Sequence, residues 1–233
     1  LGDPAFKGKA GVVERFAWPT GMAARRVVLA CLGEAGDAGR PGGAALRKAG
    51  GAVAQALASR VPASLVTAGI GDPETVAALV QAVALRLYDF REHKSTAGED
   101  EEAPAAPPAI TVLSDAAEAV ARASEPLAAL AEGIYFTRDL VNEPANRLTT
   151  EEFAARLAAM QELGLEVEIL GEAEMEALGM RALLAVGQGS ASDSKLVVMR
   201  WQGAGDDTPP FAFVGKGVVF DTGGISLKPA AGM

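Results

Sequence analysis

Short apolar runs alternate with alanine-rich stretches along the first half of the chain, and this alternation restricts the fold more than any other feature. Residues 26–32 (RVVLACL), 64–70 (SLVTAGI) and 109–113 (AITVL) are typical of buried strands, because each is a short and mostly apolar run. Between them, residues 43–59 and 75–87 carry large apolar side chains at helical spacing. The alternation predicts an α/β layer in which the three strands share one sheet.

A linker and a helical connector follow this layer. Residues 92–108 are acidic, rich in proline and poor in large apolar groups, so we interpret them as a solvated loop. Two helices are predicted next, the first opened by Asp115 and the second opened by Ser124. The sequence NEP at residues 142–144 predicts the turn that begins a new unit, because proline disfavours helix in the residue before it.

The second half of the chain repeats the alternation. Thr149 and Glu152 predict a capping box for a helix whose apolar face carries Phe153, Leu157 and Met160. Further along, the sequence predicts a short helix at residues 172–178 and strands near 165, near 183, at 195–201 and at 211–215. The predicted organisation is therefore an N-terminal α/β domain (residues 1–113), a helical connector (114–141) and the start of a second α/β domain (142–233).

Charge and cysteine usage exclude some function classes. A net charge of −9 and a pI near 4.8 work against nucleic acid as a main partner, because phosphate binding needs a basic surface. The single cysteine, Cys31, cannot form an internal disulfide, which fits a cytoplasmic protein, and we interpret it as a structural thiol. No apolar run predicts a membrane span. The single histidine, His93, lies in the predicted loop and is interpreted as a surface residue.

Residues 214–228 (VGKGVVFDTGGISLK) are the strongest candidate for a functional site. Lys216 and Asp221 flank an apolar stretch, Lys228 follows two glycines, and the ends of strands in α/β sheets are where sites form. On spacing alone the segment could also be a turn with solvated lysines. It matches neither G-x-x-x-x-G-K-[ST] nor G-x-G-x-x-G, so no phosphate-binding loop is predicted.

This segment closely resembles the signature of the leucyl aminopeptidase family, cytosolic two-metal exopeptidases. Residues 6–11 (FKGKAG), 138–154 and 180–198 also resemble that family in the expected order, so the resemblance covers nearly the whole chain. The resemblance implies a macro-like N-terminal α/β domain, a helical connector and the beginning of a zinc-exopeptidase-like α/β catalytic domain. It also implies that the chain starts and stops inside a longer protein.

The resemblance assigns a role to each of three residues. It implies that Lys216 and Asp221 are metal ligands, Asp221 bridging two divalent ions, and that Lys228 is catalytic. Lys216 must then be neutral, and neighbouring dications disfavour its charged form. Lys228 can stay protonated and stabilise an oxyanion as metal-activated water attacks the peptide bond. Manganese or zinc is the expected metal, with magnesium or cobalt as alternatives.

For the whole protein, the resemblance implies release of N-terminal amino acids, with a leucine-type preference, from peptides with a free N-terminus, by a homohexamer. No Asp or Glu follows Asp221, and the family's remaining carboxylate ligands and a bicarbonate-holding arginine are expected beyond Met233. We therefore expect this chain alone to be inactive. Two other classes stay open: a non-catalytic module that binds an ADP-ribose-like ligand or DNA, and a degenerate structural relative.

Overall fold

The computed structural model describes residues 8–36, 39–57, 62–93, 109–205 and 208–231. The chain divides into two compact units, Leu1–Asp139 and Leu140–Met233. The first unit contains β1 (Val13–Ala17), β2 (Arg26–Ala30), α1 (Gly43–Ala56), β3 (Ala63–Val66), α2 (Pro73–Leu87), β4 (Ile110–Leu113) and most of α3 (Ala117–Asn142). In the second unit follow α4 (Thr150–Ala158), a 3-10 helix (Ala159–Leu163), β5 (Glu166–Leu170), α5 (Glu172–Ala177), α6 (Arg181–Gly187) and β6 (Leu196–Arg200).

The strands of the first unit form two separate pairs. β3 and β4 are parallel, with Ala63 opposite Ile110, and α2 lies between them in the chain. β2 instead forms an antiparallel hairpin with β1, in which Val13 is opposite Ala30. The predicted α/β class is confirmed, but the prediction of one sheet containing all three apolar strands is wrong. The backbone groups of β2 find their hydrogen-bonding partners in β1, which a turn brings alongside it.

The core of the first unit lies between α1 and α2. Ala49 and Val76 are completely buried, and Gly50 lies so close to α2 that an added Cβ would be 2.5 Å from the Cβ of Ala82. Val53 and Val83 belong to a buried cluster in this core, against which side chains from β2, β3 and β4 pack (Ala30, Leu65 and Ile110). The strands therefore pack against the helix pair, as the alternation of apolar runs predicts.

α3 is a single helix of 26 residues, so the prediction of two helices separated before Ser124 is wrong. A proline inside a helix removes one backbone hydrogen bond, and here Pro126 is accommodated because packing holds the helix on both sides of it. Val120 and Ala131 are buried, and the Gln81 side chain of α2 donates to the carbonyl of Leu127 at 2.9 Å. Within the described residues, no helix has both the length and the apolar composition that crossing a membrane requires.

The second unit is organised around an antiparallel strand pair. The apolar runs predict both strands, and the structure pairs β5 with β6 so that Glu166 is opposite Arg200 and Leu170 is opposite Leu196. The strand expected near residue 183 is wrong, because that stretch forms α6. Short apolar runs are ambiguous between strand and helix. Here the turn at Gly179, which has a positive φ of 74°, leads directly into the helix.

Candidate metal centre

Residues 211–228, called the motif segment below, follow β6 and contain no regular strand. The strand predicted at residues 211–215 is therefore wrong. A strand is stabilised by backbone hydrogen bonds to a neighbouring strand, and none pairs with this segment in the part of the chain that the structure describes. Phe211 and Phe213 are each 95% exposed, whereas Val219 is half-buried.

Asp221 and Lys228 meet directly across a tight turn. The Nζ of Lys228 donates to Oδ2 of Asp221 at 2.9 Å and to its backbone carbonyl at 3.2 Å. The other carboxylate oxygen, Oδ1, accepts from the backbone N–H of Gly223 at 2.8 Å. The backbone reverses at Gly223 and Gly224, whose φ angles are 96° and 57°, a region that favours glycine. The paired glycines thus bring together two of the three predicted site residues.

The electrostatics of the site centre on Asp221. The hydrogen bond from Lys228 lowers the pKa of the Asp221 carboxyl most, and the Gly223 N–H, the charge of Lys228 and the charge of Lys216 lower it further. Asp221 is therefore a carboxylate at neutral pH. Lys216 lies farther away, and among the described residues no salt bridge joins it to Asp221.

The donors present fit part of a divalent metal site. An amine nitrogen from Lys216 and a carboxylate from Asp221 form a mixed nitrogen and oxygen set, which suits zinc or manganese. Each oxygen of Asp221 already accepts one hydrogen bond, but an ionised carboxylate has about four lone-pair sites, so room for a metal bond remains. Two protein donors are fewer than a pair of ions needs, so these residues alone would make only a partial site.

Helix α4 lies against the motif segment, and the contact involves residues that the sequence did not single out together. An added Cβ on Gly217 would be 3.0 Å from Cε1 of Phe153. The sequence placed Phe153 correctly on the apolar face of its helix. The sequence contains no pattern that predicts the contact between Phe153 and Gly217, because this contact depends on the path of the motif segment back to the helix.

The N-terminus of α4 is tied to the loop between α6 and β6. The Thr150 hydroxyl donates to the carbonyl of Asp193 at 2.7 Å, and the Asp193 N–H donates to Oε1 of Glu151 at 3.0 Å. The pKa of Glu151 falls to about 2, chiefly because its own backbone N–H donates to the carboxylate, with further hydrogen bonds from Asp193, Ser192 and Thr149. The helix that faces the motif segment is thus anchored by polar contacts.

A buried carboxylate ties the other side of α4 to the NEP turn. Nη2 of Arg156 lies 2.9 Å from Oε1 of Glu143, whose side chain is 1% exposed. Nε of the same arginine lies 2.8 Å from Oε1 of Glu152. Burying a charge is costly unless it is paired, and Arg156 supplies that pairing. The turn that the sequence marked as the start of the second unit is therefore fastened to its first helix.

Comparison with family models identifies the class of protein to which this fold and site belong. Residues 3–97 match the N-terminal domain of the cytosol aminopeptidase family, and residues 135–233 match its catalytic domain. The two α/β units thus belong to the class of two-domain peptidases. The chain belongs to the cytosol aminopeptidase family, which confirms the resemblance carried by the motif segment.

Curated relatives support the same family. The chain is 54% identical over 227 residues to a protein of Cereibacter sphaeroides named "Probable cytosol aminopeptidase", covering 97% of this chain and 43% of the relative. Proteins of the same name from Dinoroseobacter shibae and Caulobacter vibrioides are 50% and 47% identical, over 97% and 98% of this chain and 43% and 45% of theirs. The chain therefore spans less than half the length of these relatives.

Solved structures share the fold. The bottromycin maturation enzyme BotP in complex with Mn is 30% identical, with a TM-score of 0.70 over 96% of this chain and 46% of that one. A second structure of BotP is 29% identical, with a TM-score of 0.61 over 82% of this chain and 40% of that one. These matches agree with the α/β class predicted from the sequence.

Proposed function

We propose that the chain supplies the N-terminal domain and the first part of the catalytic domain of a metal-dependent aminopeptidase. The reaction is hydrolytic release of N-terminal residues from peptides, with a leucine-type preference. The observation that carries the proposal is the contact between Lys228 and Asp221 at 2.9 Å, inside the segment matched by the catalytic-domain model and with the charge of Lys216 nearby.

Three residues have separate roles in this proposal. Lys216 and Asp221 would hold divalent metal, Lys216 through its amine, neutral once the metal is bound, and Asp221 through its carboxylate. When bound, the ions supply polarisation of the peptide carbonyl and activation of water. Lys228 stays protonated beside Asp221 and stabilises the negative charge that develops on the carbonyl oxygen. Manganese is the first metal to test, because the BotP structure contains Mn, with zinc, magnesium and cobalt as alternatives.

Several properties of the whole protein are part of the proposal. We expect a cytoplasmic homohexamer that acts on peptides with a free N-terminus, with bicarbonate held elsewhere in the catalytic domain. The domain limits of residues 1–113, 114–141 and 142–233 also stay a prediction. We expect the 233-residue chain alone to be inactive, because Lys216 and Asp221 are too few donors for two ions.

A chimera provides the test of activity. This chain would replace the matching 227 residues of the Cereibacter sphaeroides relative, and hydrolysis of leucine p-nitroanilide with Mn²⁺ would be compared among the relative, the chimera and the chain alone. The chimera should be active and the chain alone inactive. An inactive chimera beside an active relative would contradict the proposed function, and an active chain alone would refute the argument from missing ligands.

Matched variants of the chimera test the residue roles. Asp221→Asn and Lys216→Met should weaken Mn²⁺ binding, whereas Lys228→Met should retain it and lower kcat by about 100-fold or more. Glu168→Gln and Arg200→Met are the controls, because this exposed pair, 3.2 Å apart, lies in the same unit and outside the site. If a site variant behaves like these controls in calorimetry and in kinetics, the role assigned to the substituted residue is wrong.

One groove among the described residues of the first unit gives no support to an ADP-ribose-like ligand. The groove, roughly 450 Å³, lies at the start of α1 and is lined by Arg40, Glu74 and Thr75 among others. Arg40 already pairs with Asp72 and Glu74, each at 3.2 Å. These carboxylates neutralise the arginine and repel a phosphate. We therefore propose no second function for this unit.

A further inference from the structure

The two glycines that flank Lys216 have different surroundings. A Cβ on Gly215 would have no atom within 4 Å, whereas a Cβ on Gly217 would lie 3.0 Å from Cε1 and 3.7 Å from Cδ1 of Phe153. Neither glycine has a positive φ, so the backbone conformation itself does not require glycine at either position. A side chain at position 217 would thus make a tight contact with the Phe153 ring, whereas a side chain at position 215 would lie in open space.

Phe153 lies beside a part of the chain whose large side chains are mostly exposed. Phe211, Phe213 and Val214 are between 95% and 99% exposed, so the residues before Lys216 pack against almost nothing. The ring of Phe153 lies beside Gly217, directly after the proposed metal ligand. Contact with an aromatic ring restricts where the backbone at Gly217, and hence the Cα of Lys216, can lie.

Phe153 can act in this way because α4 is held on both sides. Thr150 and Glu151 bind the loop at Asp193, and Arg156 binds the buried carboxylate of Glu143. The Thr149 hydroxyl caps the helix by accepting from the N–H of Glu152 at 3.2 Å. A side chain on an anchored helix is a better reference point than one on a loop.

We propose that Phe153 is a positioning residue that sets the backbone of Lys216 through Gly217, and that a side chain at position 217 would weaken metal binding by displacing that backbone. The inference rests on the proposed function, in which Lys216 is a metal ligand. Phe153 touches neither metal nor substrate in this proposal. It acts as residues around a metal site do when they orient the ligands.

Paired substitutions in the chimera test this role. Gly217→Val should weaken Mn²⁺ binding by about tenfold or more, the usual effect of disturbing a residue that orients a ligand. Gly215→Val, which adds the same side chain on the other side of Lys216 in open space, should leave binding nearly unchanged. Phe153→Ala alone removes the contact and should weaken binding, whereas in the double variant Gly217→Val with Phe153→Ala the valine takes the space of the ring, so this variant should bind Mn²⁺ more tightly than Gly217→Val alone.

The readouts separate positioning from general stability. Calorimetry gives the Mn²⁺ affinity, thermal unfolding of the metal-free protein reports the fold, and activity is measured at rising Mn²⁺ concentration. Positioning predicts that high Mn²⁺ restores the activity of Gly217→Val while its metal-free midpoint stays close to that of Gly215→Val. If Gly217→Val fails to fold, Gly217→Ala, which adds one carbon, replaces it in the same comparison.

Two results would overturn the inference. One is equal Mn²⁺ affinity of the Gly215 and Gly217 variants, and the other is no recovery in the double variant. The proposed function fails differently: Lys216→Met would then bind Mn²⁺ as tightly as the unmodified chimera. If Lys216→Met loses binding and the two glycine variants are alike, the ligand assignment stands and only the role of Phe153 is wrong.

Discussion

The helix pair of the first unit and the motif segment of the second differ in what determines their conformation. α1 and α2 exclude water from Ala49 and Val76, and they touch closely where Gly50 meets Ala82. The motif segment exposes large side chains instead, and Ile225 is fully exposed. Packing therefore determines the helix pair. The motif segment depends on its own hydrogen bonds and on the neighbouring helix α4.

Because of this difference, we expect the helix pair to contribute mainly to stability and the motif segment mainly to the proposed chemistry. The hydrogen bonds of the turn join residues no more than seven positions apart, such as the N–H of Lys228 and the carbonyl of Thr222 at 2.8 Å. Such a turn can form without a surrounding core, because its glycines and its Asp supply the geometry. Functional groups are often placed on segments of this kind, held by a more rigid scaffold. Substitutions in the two regions should thus affect different measurements.

The largest expected difference is in unfolding free energy. Leu79→Ala, in the helix pair, should lower it by about 2–5 kcal/mol, because the side chain is 3% exposed and its removal leaves a cavity. Phe213→Ala removes a larger side chain that is 95% exposed, and it should change stability by less than about 0.5 kcal/mol. Urea unfolding of the 233-residue chain measures both. Similar losses for the two variants would mean that the motif segment also belongs to the stabilising core.

A smaller effect should distinguish two adjacent glycines of α1. Gly50→Ala puts a methyl group 2.5 Å from Ala82 and should cost about 1–3 kcal/mol, because overpacking forces the helices apart. Gly51→Ala meets no atom within 4 Å and should stabilise the helix by about 0.5–1 kcal/mol. The same urea titration gives both values. If Gly50→Ala and Gly51→Ala change the unfolding free energy equally, the helices can separate without cost, and the close packing at Gly50 does not matter for stability.

The regular elements were largely predictable because apolar periodicity reports on burial. Most strands and helices occur where that pattern places them, for example β5 at Glu166–Leu170 and α2 at Pro73–Leu87. β1 was missed because VERFA lacks a continuous apolar run and becomes a strand by pairing with β2. The predictions of a strand near residue 183 and of a helix break before Pro126 were wrong, because tertiary packing determines the structure of such ambiguous stretches.

In the candidate site, too, some features could be predicted from the sequence and others could not. Lys216, Asp221 and Lys228 were found through the resemblance of a short motif, whereas the turn at the paired glycines was considered only as an alternative to a site. The contact between Phe153 and Gly217 joins residues far apart in the sequence, and no local pattern encodes it. The roles of the three site residues stay predictions until metal binding is measured.

A still smaller effect concerns Glu151, which is exposed yet held by local hydrogen bonds. Its pKa falls from the ordinary 4.5 to about 2, so its contribution to stability is complete above pH 4.5 and disappears as the pH falls to 2. Glu151→Gln should therefore lower the thermal midpoint near neutral pH, and the difference from the unchanged chain should shrink between pH 4.5 and pH 2. Glu162→Gln, the same substitution at another exposed glutamate of the second unit, is the control for the loss of one charge. A difference that is independent of pH would contradict the role of these hydrogen bonds.

The smallest expected effect on stability is in the turn itself. Lys228→Met should leave the thermal midpoint of the metal-free chain unchanged within error, because its ion pair with Asp221 is exposed and such pairs contribute little. The turn should also persist, since Gly223 still donates to Asp221 and the backbone of residue 228 still donates to Thr222. Asp221→Ala removes the acceptor of Gly223, so the NMR amide signal of Gly223 should move in this variant and stay in place in Lys228→Met. If Lys228→Met moves that signal as far as Asp221→Ala does, the ion pair, and not the glycine turn, determines the conformation of the segment. The motif segment would then differ from the packed helices because it depends on a charge interaction.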